Sequence, residues 1–278
     1  MPCGSRFPLQ ESDRPMKLNS SYRAVACWVC FLLCAAAPAA VQTPIPPPLR
    51  TSLQMIVVTT PDWDSVPGRL QRFERDRPGD PWKPIGNPIS IVVGKKGTGW
   101  GAGLIPSDGP GLRTPDDPVK NEGDGKSPAG VFRISTAFGY AAQAPPAWKM
   151  PYVSLTPSVE CVDDSTSKFY NRIVDRATVT PDWHSSEHMA EAGIAYRWGA
   201  VIDHNVNPTT FGVGSCVFLH IWAGPATGTA GCTAMPQDQL EPILAWLDPA
   251  GSSILVQLPL AQYRMLQKPW HLPNPPGA

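Results

Sequence analysis

Apolar residues along this chain come in short blocks separated by turns rich in proline and glycine. Leu53-Gln-Met-Ile-Val-Val-Thr59 is the first block, dense in β-branched residues and stopped by Pro61-Asp62, and it reads as a strand. Arg69-Leu-Gln-Arg-Phe-Glu74 follows the Val66-Pro-Gly68 turn and pairs with it as a hairpin. Ile89-Ser-Ile-Val-Val93, closed by Gly94, is a further strand. Val131-Phe-Arg-Ile134 leaves the turn Pro128-Ala-Gly130, and Tyr196-Arg-Trp-Gly-Ala-Val-Ile202 runs into Asp203-His204-Asn205. Cys216-Val-Phe-Leu-His220 and Ser253-Ile-Leu-Val-Gln-Leu258 are strands by the same reading. A helical period occurs at Leu240, Ile243, Leu244 and Leu247, opening on Asp238-Gln-Leu-Glu241 as a capping box, with Pro242 in the first turn. Many strands and few helices predict a mainly β fold, a sandwich or a barrel, over residues 53–260. That length holds one domain with a sizeable core.

The ends of the chain carry different patterns. Lys17 and Arg23 precede Ala24-Val-Ala-Cys-Trp-Val-Cys-Phe-Leu-Leu-Cys-Ala-Ala-Ala37, and Ala37-Pro-Ala39 supplies small residues for cleavage. Residues 1–40 thus read as a secretory signal peptide, with an alternative start at Met16. The apolar core is short for a bilayer span, so a retained anchor is the rival reading. The residue before Cys34 is Leu33, which does not make a lipidation box. Residues 41–52 read as a proline-rich linker, and 261–278 as a loose, proline-rich tail. The expected location is exported, periplasmic or associated with the cell wall, touching the membrane only through the export signal.

Charge removes some partners. Lys and Arg number 23, as do Asp and Glu, so no basic field points to nucleic acid. The glycine-rich stretch Gly97-Thr-Gly-Trp-Gly-Ala-Gly103 superficially suggests a phosphate loop, but no Lys-Ser/Thr follows it.

The chemistry concentrates between His220 and Cys232. A histidine leaves a strand, a Gly/Pro/Thr loop follows, and Gly231-Cys232 stands just ahead of a helix. A thiolate is the nucleophile in thiol catalysis, and an adjacent imidazole makes it available at neutral pH. Gly231 leaves room for a carbonyl, and the N–H groups of Gly231 and Cys232 are candidates for an oxyanion site. The plainer alternative is a buried cysteine beside a hydrogen-bonded core histidine. Beyond the signal the cysteines are Cys161, Cys216 and Cys232. Disulfides persist outside the cytosol, and an odd thiol is left over. With Cys232 as the free thiol, Cys161 and Cys216 pair or remain as buried thiols. Cys216 shares strand parity with His220, which argues for the cleft instead. Elsewhere, His184-Ser-Ser-Glu187-His188 matches H-x-x-E-H, a zinc-hydrolase pattern. Against it, Ser185 or Ser186 caps a short helix and leaves His184 outside.

Thr229-Ala-Gly-Cys232-Thr-Ala-Met235, preceded by His220, resembles the active-site signature of the L,D-transpeptidase (YkuD-type) family. Gly123-Asp-Gly-Lys-Ser-Pro-Ala-Gly-Val-Phe-Arg-Ile134 resembles another stretch of that family. Glu160-Cys-Val-Asp-Asp164, Ser185-Ser-Glu-His-Met189 and Gly214-Ser-Cys-Val-Phe-Leu-His-Ile-Trp222 add to the likeness, which runs from about Leu53 to about Pro259. The resemblance implies a β-sandwich or barrel-like L,D-transpeptidase fold with a few short helices. It implies Cys232 as nucleophile and His220 as general base and acid, oriented by a backbone carbonyl, with no metal or organic cofactor. The implied partners are peptidoglycan stem tetrapeptides, whose acyl group passes to an amine in cell-wall cross-linking. Thr229, His204, Asp203 and Trp222 are the candidate substrate contacts, and Glu160, Asp163, Asp164 and Asp203 the candidate acceptor contacts. The chain departs from the family pattern at Ala234, where an arginine is usual, and in a shorter loop between His220 and Cys232. L,D-carboxypeptidase activity from the same Cys/His pair, a zinc hydrolase using His184 and His188, and a non-catalytic wall-binding module are the alternatives.

Overall fold

The computed structural model describes residues 45–109 and 111–277, so the expected signal segment lies outside the described residues. Strand β1 (Gln54–Thr60) is buried along its whole length, as its run of β-branched residues requires. It pairs antiparallel with β2 (Pro67–Glu74), the expected hairpin, and parallel with β13 (Ile254–Pro259). Around the sheet come β3 (Lys83–Val92), β5 (Ser127–Gly139), β10 (Trp198–Ile202), β11 (Phe218–Ile221) and β12 (Thr233–Met235). The order is β10-β11-β12-β3-β2-β1-β13-β5, and β10 also pairs with β5, so these eight strands close into a barrel. The fold is therefore mainly β and a barrel rather than an open sandwich. β4 (Thr98–Trp100) and β6 (Tyr152–Ser154) extend β5 outside the ring. A separate small sheet has the order β8 (Ile173–Asp175), β7 (Val159–Cys161), β9 (Glu187–His188).

Strand alternation divides the apolar residues into layers. Ile56 and Val58 of β1 join Leu70, Ile91, Phe132, Ile134, Ala200, Leu219, Met235 and Leu255 in one cluster that draws on all eight strands. Leu240, Ile243, Leu244 and Leu247 of α2 (Gln237–Trp246) and its end close that cluster. Met55 and Val57 face the other way, into a second cluster with Val131 and Val256.

That second cluster corrects both expected ends of the domain. Leu49, in the short helix α1 (Pro47–Thr51), and the partly buried Ile45 pack into it. Arg75 anchors the segment by donating to the carbonyls of Leu49, Arg50 and Ser52. Residues 45–52 are thus part of the body, not a free linker. The same holds beyond residue 260. Helix α3 (Leu260–Gln267) buries Tyr263 and Leu266, and Trp270 and Leu272 follow them in. The Tyr263 hydroxyl donates to the Pro273 carbonyl at 2.9 Å. The prolines of this tail shape a packed path rather than a loose one.

Two capping expectations also fail. The N-cap of α2 is Pro236, and Glu241 takes a hydrogen bond from the Gln237 side chain instead of closing a box with Asp238. Ser185 and Ser186 start no helix; the chain enters β9 at Glu187, and the Ser186 hydroxyl is spent on Glu160. Among the described residues no helix is long and apolar enough to cross a membrane.

Candidate active site

The pairing of β11 with β12 brings the His220 and Cys232 segments side by side. β11 and β12 run parallel, with His220 opposite Ala234 and Leu219 opposite Thr233. Cys232 stands one residue before β12, and its sulfur accepts the Phe218 N–H at 3.3 Å. Phe218 and His220 are two apart on β11 and so share a face. The Tyr196 ring lies edge-on to both, with centroids 5.5 and 5.4 Å away. Cys232 is the free thiol among the described residues. Cys161 and Cys216 form a disulfide, as the cysteine count allowed.

The imidazole is held as the resemblance implies. His220 Nδ1 lies 2.8 Å from the Ile221 carbonyl. With Nδ1–H donating there, Nε2 is the free acceptor. Burial pushes the His220 pKa below its ordinary value, with the Ile221 carbonyl opposing the shift, so the ring is a neutral base at neutral pH. Burial pushes the Cys232 thiol up, and the Glu187 charge adds to it; Phe218 N–H, Tyr196 and Lys120 oppose. The resting pair is a neutral thiol and a neutral imidazole, with the thiol donating to the Cys216 carbonyl at 3.6 Å.

The nucleophile turn is fixed from two sides. The Cys232 carbonyl accepts the Thr229 hydroxyl at 2.6 Å and the Ser127 hydroxyl at 2.8 Å. Ser127 belongs to the upstream Gly-Lys-Ser-Pro stretch, so two motifs far apart in sequence meet here. Thr229 Oγ1 also accepts the Gly231 N–H at 3.1 Å. This corrects two assignments. Thr229 holds the turn rather than substrate, and the Gly231 N–H is already bonded, which removes it as an oxyanion donor in this state.

Lys120, which the sequence reading passed over, brings a cation to the same turn. It is 3 % exposed, and its ammonium pairs with Asp124 and the Asn121 carbonyl, both at 2.7 Å. A side chain added at Gly231 would come within 3.7 Å of Lys120 Nζ. Ala234, where an arginine was expected, is buried in β12 and offers no charge. Lys120 has no motif around it that would have marked it in advance.

The other candidates scatter. His204 is 1 % exposed, packs edge-on to Phe132, and lies between Gly101 and Gly214, so it lines no cleft beside His220. Burial lowers its pKa to about 4, which leaves it a neutral core histidine. Asp203 accepts the Ser135 hydroxyl at 2.5 Å and faces a separate cavity with Arg113 and Arg133. Trp222 is half-buried and ties its backbone N–H to Met235. Glu160 is buried and saturated by Arg176, Trp183, Ser186 and His188. Asp164 takes the N–H groups of His184 and Thr166, which hold its carboxyl at about 2. Asp163 reaches Glu187 only through its charge.

The zinc pattern does not assemble. Neighbouring residues of a strand point to opposite sides, so His188 meets Glu160 while the Glu187 carboxyl accepts the Tyr196 hydroxyl. Among the described residues no group of three potential ligands surrounds a metal position. Comparison with family models, with curated proteins and with solved structures finds no match for the chain.

Glu187 also departs from its expected role as the base of a zinc site. Burial raises its carboxyl to about 7; Tyr196 opposes this, and the charges of Asp163 and Glu122 add to it. The folded protein therefore holds a proton that the unfolded chain releases near its ordinary value of 4.5. That contribution to stability is full below the unfolded value and is lost as pH rises through about 7. Glu187→Gln should stabilise the protein by on the order of 3 kcal/mol at pH 7.5 and by little at pH 4.5. Urea unfolding of both proteins at the two pH values checks this.

Proposed function

We propose that the protein is a cysteine-dependent L,D-transpeptidase acting on peptidoglycan stem tetrapeptides. One observation carries the reading. The free thiol among the described residues stands on a glycine turn leading into β12, and the neighbouring strand β11 carries a neutral imidazole turned by a backbone carbonyl. His220 Nε2 takes the Cys232 proton as the sulfur attacks the carbonyl before the terminal D-amino acid. The C–N bond breaks, and the proton on His220 goes to the leaving amine of D-alanine. The thioester on Cys232 is then attacked by an acceptor amine, whose proton returns to His220, and the thiol is restored. The Cys232 N–H and the Lys120 ammonium are the groups placed to support the oxyanion.

Transfer and hydrolysis differ only in what reaches the thioester. Cys232 is 5 % exposed, and transfer requires that the acceptor amine be seated at the thioester while water is kept from it. Incubation with tetrapeptide-bearing wall fragments, followed by mass spectrometry, should give cross-linked dimers and free D-alanine. Tripeptide alone, even at high acceptor concentration, would make the enzyme an L,D-carboxypeptidase. The double variant H184A/H188A should keep its activity; loss of turnover there, together with inhibition of the wild type by a chelator that zinc reverses, would support the metal reading instead.

A further inference from the structure

Tyr196 and Glu187 take no part in the acyl-transfer steps above, yet they meet at the sulfur that performs them. The Tyr196 hydroxyl donates to Glu187 Oε2 at 2.5 Å, and Tyr196 packs in the same buried cluster as Cys232. Its ring packs edge-on against His220, Phe218 and Phe138, which leaves it no other place to go. One phenolic proton is thus held by the carboxylate in a buried enclosure that also contains the sulfur. A thiolate and a carboxylate that share such an enclosure do not ionise together at low cost.

We propose that Tyr196 and Glu187 are positioning residues for the nucleophile: the protonation of Glu187, passed through the Tyr196 hydroxyl, sets when Cys232 becomes a thiolate. The proposal rests on the thiol-acyltransferase reading.

The protons balance in two states. With Glu187 ionised, Tyr196 donates to Oε2, and the Cys232 thiol keeps its proton, directed at the Cys216 carbonyl. When Glu187 takes one proton from solvent, its O–H donates to the Tyr196 oxygen and the phenolic proton turns to the sulfur. The Sγ proton then passes to His220 Nε2, and no further proton enters or leaves. The reactive thiolate accompanies the carboxylic acid, never the carboxylate. The groups facing Glu187 are Asp163, in the turn after β7, and Glu122, in the loop before β5, both of which favour its acid form. The Lys120 charge, close to the Gly231 turn, favours the thiolate, and the His220 ring faces Tyr196. Burial raises the Glu187 carboxyl to about 7, which places the change near neutral pH.

The test is the rate at which iodoacetamide alkylates Cys232 in the full chain, resolved by peptide mass spectrometry, between about pH 6 and 8.5. Above about pH 7 the wild type loses its acid form tenfold per unit, whereas Glu187→Gln cannot ionise. The rate of E187Q relative to wild type should be about one at pH 6 and about tenfold at pH 8. Tyr196→Phe should react about fivefold more slowly than wild type at pH 6, having lost one hydrogen bond to the sulfur. A ratio that stays constant across the range overturns the proposal, as does a Tyr196→Phe rate equal to that of wild type at pH 6. Should Tyr196→Phe not fold, the nearly isosteric E187Q decides alone. Alkylation needs no wall substrate, so the two readings fail separately. A wild type with the expected profile that releases no D-alanine sinks acyl transfer and leaves the pair standing. An active wild type with a constant ratio sinks the pair alone.

Discussion

Cys232→Ala should abolish cross-linking and D-alanine release together, with kcat at least about a thousandfold below wild type. Alanine keeps the turn, because Thr229 and Ser127 bond the carbonyl of residue 232 and not its side chain. The variant should therefore fold and melt close to wild type. His220→Ala should lose about a hundredfold or more, since Nε2 both accepts the thiol proton and returns it to the leaving amine. The acid limb of kcat/KM should lie below the ordinary histidine value of 6.5, because burial favours the neutral ring. Steady-state kinetics on tetrapeptide fragments measure all three. Substantial turnover by Cys232→Ala would end the thiol reading and favour a metal-dependent hydrolase instead.

What the sequence made legible divides along a physical line. β1 and β13 could be read because both faces are covered and the runs are continuously apolar. The first part of β3 could not, since Lys83, Pro84, Gly86 and Asn87 are largely exposed and carry no period. Closure of the barrel was not legible either. It depends on β10 pairing with two partners, and no local pattern specifies that. The buried tail was hidden by its prolines, although Tyr263, Leu266 and Trp270 lie at near-helical spacing. At the site, Cys232 and His220 announced themselves because a strand end and a glycine turn are local features. Lys120, Tyr196 and Ser127 did not, because each reaches the turn from a distant part of the chain. Glu187 was misread for a related reason. Its neighbours His184 and His188 suggested a helix face, and only a strand sends Glu187 and His188 to opposite sides.

Removing the Cys161–Cys216 bridge should lower stability and loosen the site at once. The bridge joins residues 55 apart, and a loop of that size corresponds to about 4 kcal/mol in the chain-entropy account. For a domain of this length that is a fall in Tm of about 8–16 °C. The position of the bridge adds a second effect. Cys161 lies on β7 directly opposite Glu187 on β9, so the bridge ties the small sheet carrying Glu187 to the barrel. At its other end, the Cys216 carbonyl receives the Cys232 thiol, and Cys216 holds a left-handed backbone, with φ 52°. Cys161 and Cys216 also pack in the same buried cluster as Tyr196, Phe218 and Cys232. Without the bridge, the strands over the sulfur are held by hydrogen bonds and packing alone. The double variant C161A/C216A avoids a new free thiol. It should melt well below wild type and alkylate faster at Cys232 at pH 7, and reduction of the wild type should move both readouts in the same direction. Calorimetry and peptide-resolved labelling measure them. A double variant that melts with the wild type and labels at its rate would show that the small sheet stays over Cys232 without its covalent tie.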